Sequence, residues 1–250
     1  MTEILLDIAD HIATITLNRP PVNAFSVSMM SELIDALRAV DESDDARVTI
    51  LIGAGRCFSA GIDLKEQLTA IDTQGAGPGA MGLQLYEALL GGAKPTIAAI
   101  NGPALGAGLG IAASCCILLA SDTSSVGLPE IDVGMLGGAR HAMRLLGHST
   151  VNRMLLTGHQ LSGSELYQRR VVEACLPGPE LLPHARSIAA EIAAKDPVAV
   201  RLARQSLARV ESMDLLEGYG YEMDRAQELG RTPGARAAMS AFLARRGPAE

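Results

Sequence analysis

The sequence predicts an α/β core followed by a helical C-terminal part, and three observations carry that expectation. Through the first part of the chain, short β-branched and apolar runs alternate with amphipathic helical stretches. From Ser149 onward the periodicity is helical alone. Between these regimes, residues 95–115 join an apolar run (96–100) through Asn101-Gly102-Pro103 to a glycine cluster, Gly106, Gly108 and Gly110, that opens an apolar helix.

The elements follow in order. Residues 4–8 and 11–17 alternate as two strands of a hairpin with Asp10 near the turn, and Asn18-Arg19-Pro20-Pro21 stops the second. Residues 26–40 form a helix with Ser26 or Ser28 as cap and Met29, Met30, Leu33, Ala36, Leu37 and Val40 as its apolar stripe. Residues 48–52 are a strand closed by Gly53-Ala54-Gly55, and the chain next turns through Gly61 into a helix. Residues 69–81, rich in Gly, read as a loop, and 82–90 as a helix leading to the 96–100 strand. A short strand at 117–120 precedes the run 126–133, and Gly137-Gly138 opens a further helix. Asp196-Pro197 starts another, whose face holds Ala199, Leu202, Ala203, Ser206, Leu207 and Val210.

Composition narrows the function. A formal charge of −7 argues against nucleic acid as the main partner, since phosphate backbones need a clustered basic face. The four cysteines show no metal spacing, exclude a paired His/Cys/Asp metal site, and fit buried thiols of a reducing compartment. The chain starts directly into a strand-like run, and no apolar run reaches spanning length. A soluble, cytoplasmic protein without membrane contact is expected.

Two places carry chemistry. The glycine cluster permits close backbone approach at a helix start, where free N–H groups favour negative charge on a ligand oxygen. It also follows a strand as a dinucleotide fingerprint does, with Asp122 downstream, although its glycines are spaced GxGxG rather than GxGxxG. Glu130 stands between Pro129 and Ile131 in an apolar run, where desolvation raises a carboxyl pKa toward the range a general acid/base uses. A satisfied structural carboxylate is the alternative. Asp132 reads as structural, pointing elsewhere if the run is extended. Asp63 reads as a helix cap, and Tyr86 and His141 as packing or solvated side chains.

Phe58-Ser-Ala-Gly-Ile-Asp-Leu-Lys65, Asn101-Gly-Pro-Ala-Leu-Gly-Ala-Gly108 and Leu128-Pro-Glu-Ile-Asp-Val-Gly134 occur in order with the spacing of the crotonase superfamily, the enoyl-CoA hydratase/isomerase family. Asn18-Arg-Pro-Pro-Val-Asn-Ala-Phe25 and Ala241-Phe-Leu-Ala-Arg-Arg-Gly-Pro248 also resemble it, so the likeness spans nearly the whole chain. The resemblance implies a β-β-α spiral core over residues 1–195 that binds an acyl-CoA thioester. It implies a helical trimerisation region over 196–250, giving a homotrimer or dimer of trimers. Coenzyme A enters as part of the substrate, with no separate cofactor.

By position, the resemblance gives the backbone N–H groups of Ile62 and Ala107 the thioester oxygen, and gives Glu130 the catalytic role. Ala60, Gly61, Asp63, Leu64, Gly106 and Gly110 become substrate-binding positions. Arg19, Lys65, Arg245 and Arg246 become candidate cations for the CoA phosphates, and Tyr86 and His141, read above as packing or solvated, could instead face the acyl chain. Two departures stand out. Cys116 replaces an Asp at the end of the glycine helix, which puts a supporting polar contact in doubt. Gly110 stands where family hydratases carry a second glutamate, and no carboxylate between Asn101 and Ala120 replaces it.

Hydration of a 2-enoyl thioester shares its proton work naturally between two carboxylates. Moving a double bond from C3 to C2 needs one base that removes the C2 proton and returns it at C4. The expected activity is therefore enoyl-CoA isomerisation on a single Glu. A hydratase with an atypical second group and a non-catalytic acyl-CoA-binding protein are the alternatives.

Overall fold

The structure is a computed structural model that describes residues 2–246, with residues 245 and 246 described through their backbone alone. The chain runs β1 (Ile4–Ala9), β2 (Ile12–Leu17), α1 (Val27–Glu42), β3 (Val48–Gly53), α2 (Leu64–Asp72), α3 (Pro78–Gly91) and β4 (Thr96–Ile100). It continues through β5 (Ala104–Leu105), α4 (Ala107–Ser114), β6 (Ile117–Ser121), β7 (Ser125–Gly127) and a 3-10 turn (Pro129–Val133). Next come α5 (Ala139–Ala142), α6 (His148–Thr157), β8 (Gln160–Ser162), α7 (Gly163–Gln168) and β9 (Ala174–Leu176). The last helices are α8 (Gly178–Ala193), α9 (Pro197–Val210), α10 (Leu215–Gly230) and α11 (Pro233–Arg246).

Six strands form one sheet in the order β1-β2-β3-β4-β6-β9, and β5-β7-β8 form a second, smaller one. Only β1 pairs antiparallel in the large sheet; every other pair is parallel. Parallel strands covered on both faces read as continuous apolar runs, and β4 is buried throughout. The period of two then sorts its residues. Ala98 and Ile100 join Ile15, Leu51 and Leu118 in the core under α1, α3 and α4. Ile97 and Ala99 join Val48, Ile50 and Leu119 in the core under α8, which offers Leu181, Ala185 and Ala189 at helical spacing.

The α/β class and the strands at 4–17, 48–52, 96–100 and 117–120 stand where the sequence placed them, within a residue or two. Four local expectations are corrected. Residues 69–81 are mostly helix: α2 runs to Asp72 and α3 begins at Pro78, leaving only 73–77 irregular. Burial of Leu85 and Leu89 outweighs the poor helix propensity of the glycines, and the Gln67 side chain accepts from the Gly79 N–H at 3.1 Å. The region after Ser149 contains β8 and β9, each too short to show a period.

On α9, Leu202 and Ser206 are buried, but Ala203 and Leu207 are exposed. The helix turns Arg204 inward instead, where its guanidinium donates to the Leu89 and Leu90 carbonyls at the C-terminus of α3, at 2.9 and 3.0 Å. Of the four thiols, Cys57 and Cys115 are buried, Cys175 half-buried and Cys116 exposed. The contact put in doubt by Cys116 is made by the thiol itself, whose Sγ accepts from the Thr96 N–H at 3.4 Å while the Cys116 N–H donates to Thr96 Oγ1.

Asn23 shows why the segment after β2 reads as it does. Its side chain is fully buried, donates to the Ala54 and Cys57 carbonyls at 3.0 and 2.7 Å, and accepts from the Arg19 N–H at 3.0 Å. Its φ of +51° is one that Asn tolerates better than most residues. Asn23→Ala is expected to lower unfolding free energy by about 3 kcal/mol in urea titration, since it strands buried carbonyls and an N–H. A loss below about 0.5 kcal/mol, the range of ordinary surface changes, contradicts this role.

Candidate active site

The small sheet positions the site. β5 and β7 are parallel, with Leu105 opposite Gly127, and the Gly106 N–H donates to the Gly127 carbonyl at 2.9 Å. Both chains leave this register at the same end. One enters α4 at Ala107; the other bends at Leu128 into the 3-10 turn that carries Glu130. The run 126–133 is therefore extended only to Gly127, because Pro129 starts the turn and Gly134, at φ +71°, stops it.

A third strip completes the frame. Ser59 bridges Ala104, and Phe25 bridges Ile62 in parallel sense. The Phe25 N–H donates to the Gly61 carbonyl at 2.7 Å, and its carbonyl accepts from the Asp63 N–H at 2.8 Å. These bonds use the residues flanking Ile62, so the Ile62 N–H points away from Phe25. Ala107 is the first residue of α4 and its N–H has no intrahelical acceptor. Neither N–H donates to any described residue. They lie close together: a Cβ on Gly61, whose φ is +97°, would stand 3.5 Å from the Ala107 nitrogen. Two converging donors of this kind suit an oxygen that gains negative charge.

Glu130 faces them. A Cβ on Gly106 would lie 2.5 Å from Glu130 Oε1, so the carboxylate occupies the space that this glycine leaves bare. Glu130 Oε2 is buried without a partner among the described residues. Burial raises the Glu130 pKa above the ordinary carboxylate value, only partly opposed by its own N–H. Ala60, Gly61, Ile62, Leu64 and Gly106 line one cavity of about 180 Å³ together with Glu130. Asp132 lines it too, a correction to the expectation that it points elsewhere: two residues on from Glu130, it stays on the same side of the short turn. Its residue is exposed, and its carboxylate lies against Gly158.

The remaining expected positions divide. Asp63 caps α2, accepting from the Lys65 and Glu66 N–H groups at 2.9 and 3.1 Å. Burial pushes its pKa up, but those N–H groups and the Arg19 guanidinium hold it below the ordinary value. Arg19 is correspondingly turned inward. It pairs with Glu3 and Asp63, both at 2.7 Å, and donates to the Ala24 carbonyl. These bonds hold the strip that carries Ile62. Lys65 is exposed on α2 outside the cavity lining. The side chains of Arg245 and Arg246 fall outside the described residues.

Gly110 does not line the cavity. A Cβ there would run into the Tyr86 hydroxyl, and the Tyr86 ring stacks on His141 with centroids 3.8 Å apart. The sequence reading sets packing or solvation above facing the acyl chain for both, because the approach of α3 to α4 has no signature in either helix's period.

A family model described as enoyl-CoA hydratase/isomerase matches residues 7–249. The chain belongs to that family, the crotonase superfamily. A 2,3-dehydroadipyl-CoA hydratase of Escherichia coli is 31% identical over 258 residues, covering 99% of this chain and 98% of the relative. A (7aS)-7a-methyl-1,5-dioxo-2,3,5,6,7,7a-hexahydro-1H-indene-carboxyl-CoA hydrolase of Rhodococcus jostii is 34% identical, over 88% of this chain and 86% of the relative. Among solved structures, an enoyl-CoA hydratase from Bacillus anthracis superposes with a TM-score of 0.89 at 31% identity, covering 96% of each chain.

The Glu130 carboxyl has a measurable signature in stability. A carboxyl whose pKa is raised by folding binds more protons folded than unfolded, so its stabilisation is full below the ordinary value and is lost as pH rises through the raised one. Glu130→Gln, which stays neutral, is expected to melt above the natural protein at pH 7, with the gain shrinking as pH falls toward 4. A variant that melts lower at pH 7 contradicts the uncompensated burial of this carboxylate.

Proposed function

We propose that the protein isomerises enoyl-CoA thioesters, moving a double bond from C3 to C2. The observation that carries this is Glu130, whose Oε2 is buried without a partner among the described residues, facing two unpartnered N–H groups, while Asp132 is exposed on the cavity's rim and glycine stands at 110. The thioester oxygen accepts from Ile62 and Ala107. Glu130, as carboxylate, removes a proton from C2, and the C–H electron pair passes into the dienolate whose oxygen those donors hold. Protonation at C4 places the double bond between C2 and C3 and restores the thioester carbonyl. The raised pKa of Glu130 suits a group that must take up a proton and release it within one turnover.

Hydration is the second reading, supported by the names of the Escherichia coli and Bacillus anthracis relatives. A non-catalytic acyl-CoA-binding protein is the third, and the buried unpaired carboxylate argues against it, since binding alone gains nothing from that cost. Lys65, exposed on α2 outside the cavity lining, stands as a candidate cation for the CoA phosphates. Exposed Leu215 and Leu216 on α10 and Leu243 on α11 support a homo-oligomer, which we take to be a homotrimer or dimer of trimers. No helix of the described residues is long and apolar enough to cross a membrane.

Proton NMR in D2O with a 3-enoyl-CoA is expected to show double-bond migration with deuterium at C2 and C4. A 3-hydroxyacyl-CoA formed from a 2-enoyl-CoA at a comparable rate overturns isomerisation in favour of hydration. Because Glu130 acts as a carboxylate, kcat/KM is expected to fall on the acid side with a midpoint above the ordinary carboxylate value. Glu130→Gln should remove turnover by about 10²-fold or more while acyl-CoA binding survives. Sedimentation analysis is expected to give three or six chains per particle, and a monomer contradicts the assembly.

A further inference from the structure

Gly106 caps helix α4 with a non-helical backbone, φ +54°, and Gly110 lies within the helix, its N–H donating to the Gly106 carbonyl at 3.0 Å. The Glu130 carboxylate fills the space a side chain on the first glycine would take, and the Tyr86 hydroxyl the space on the second. The two groups, from different elements, are near enough for the charge of Glu130 to act on the Tyr86 phenol. The Tyr86 hydroxyl has no hydrogen bond to any described residue.

The phenol is held rather than loose. Its helix α3 is anchored by the fully buried Leu85 and Leu89, and its ring stacks on His141. The outer side of the ring lines a cleft of about 680 Å³ with Leu83, Leu90 and Tyr221. Burial, and then the charge of Glu130, push the Tyr86 pKa up to about 12, so at neutral pH it carries its proton. Burial and then Arg144 and Arg140 lower the pKa of His141, which leaves the stacking partner neutral.

We propose that the Tyr86 hydroxyl is the second proton-handling group of this site, occupying the space over Gly110 where the hydratase pattern has a carboxylate, and that it protonates C4. The inference rests on the enoyl-thioester reading above and refines its second step. Glu130 takes the C2 proton and becomes a carboxylic acid. The C3–C4 π pair of the dienolate takes the Tyr86 proton at C4, leaving a phenolate. The Glu130 proton returns to that phenolate through water, so the site is restored and the net change is isomerisation. Glu130 then has no need to swing from C2 to C4, for which its buried position leaves little room.

The test separates the two steps. In D2O with a 3-enoyl-CoA, proton NMR reads C2 exchange in the remaining substrate and formation of the 2-enoyl product. Tyr86→Phe keeps the ring and its stacking. It is expected to retain C2 exchange within about threefold while product formation falls about 10²-fold. Gly110→Ala, whose methyl group would run into the Tyr86 hydroxyl and ring edge and so displace the phenol, is expected to lower product formation in the same selective way. A Tyr86→Phe variant that isomerises at the natural rate overturns the inference. So does one that loses exchange and isomerisation equally, since Tyr86 then only supports Glu130. A natural protein that neither exchanges C2 nor isomerises overturns the enoyl-thioester reading itself, and this inference with it.

Discussion

Helix α4 begins with its backbone open on several sides, because Gly106, Gly108 and Gly110 omit the side chains that would hold neighbours away. Each vacancy is filled by something different. Glu130 Oε1 lies over Gly106, the Ser59 carbonyl is 2.5 Å from where a Gly108 Cβ would be, and the Tyr86 hydroxyl covers Gly110. A methyl group at any of the three would move an element of the site. The glycines therefore matter less for flexibility than for the distance at which three separate segments meet one helix. Only Gly106, at φ +54°, also needs the left-handed backbone.

The same closeness converts sheet register into chemistry. Leu105 and Gly127 are opposite one another in a parallel pair. Two residues beyond the first comes the Ala107 N–H, and three beyond the second comes Glu130. Their relation is set by backbone pairing before any side chain chooses a rotamer. The second donor, Ile62, is fixed by its bridge to Phe25, and the strip around it by Asp63, Arg19 and the buried Asn23. Charges that might have met a ligand are spent on this frame. The group left uncompensated is Glu130, whose burial costs stability at neutral pH.

Much of this was legible in the sequence, for reasons that can be named. The strands at 96–100 and 117–120 are apolar and buried on both faces, and the caps Ser26, Asp63 and Asp196 each precede a periodic stretch. Ile62, Ala107 and Glu130 are singled out by the family resemblance that three motifs in order carry, and the fold brings them to one place. The misses share one cause, which is that contact between distant segments leaves no period. The α9 face is read with Ala203 and Leu207 inward until α3 presents its C-terminal carbonyls, which draw Arg204 in instead. Arg19 reads as free until Glu3 and Asp63 arrive from either side. The glycines of 75–82 suggest a loop because propensity speaks before packing does, and α3 is held by Leu85 and Leu89.

Tyr86 belongs with those misses and changes what a missing residue means. Read along the chain, glycine at 110 is an absence, and one carboxylate fewer implies a simpler reaction. Read in space, close packing fills a gap of that size from another element, and here the filler is a phenol rather than an apolar group. An aromatic hydrocarbon side chain would fill the same volume without a polar atom, whereas the phenol brings a proton-bearing group to the space over Gly110, within reach of the charge of Glu130.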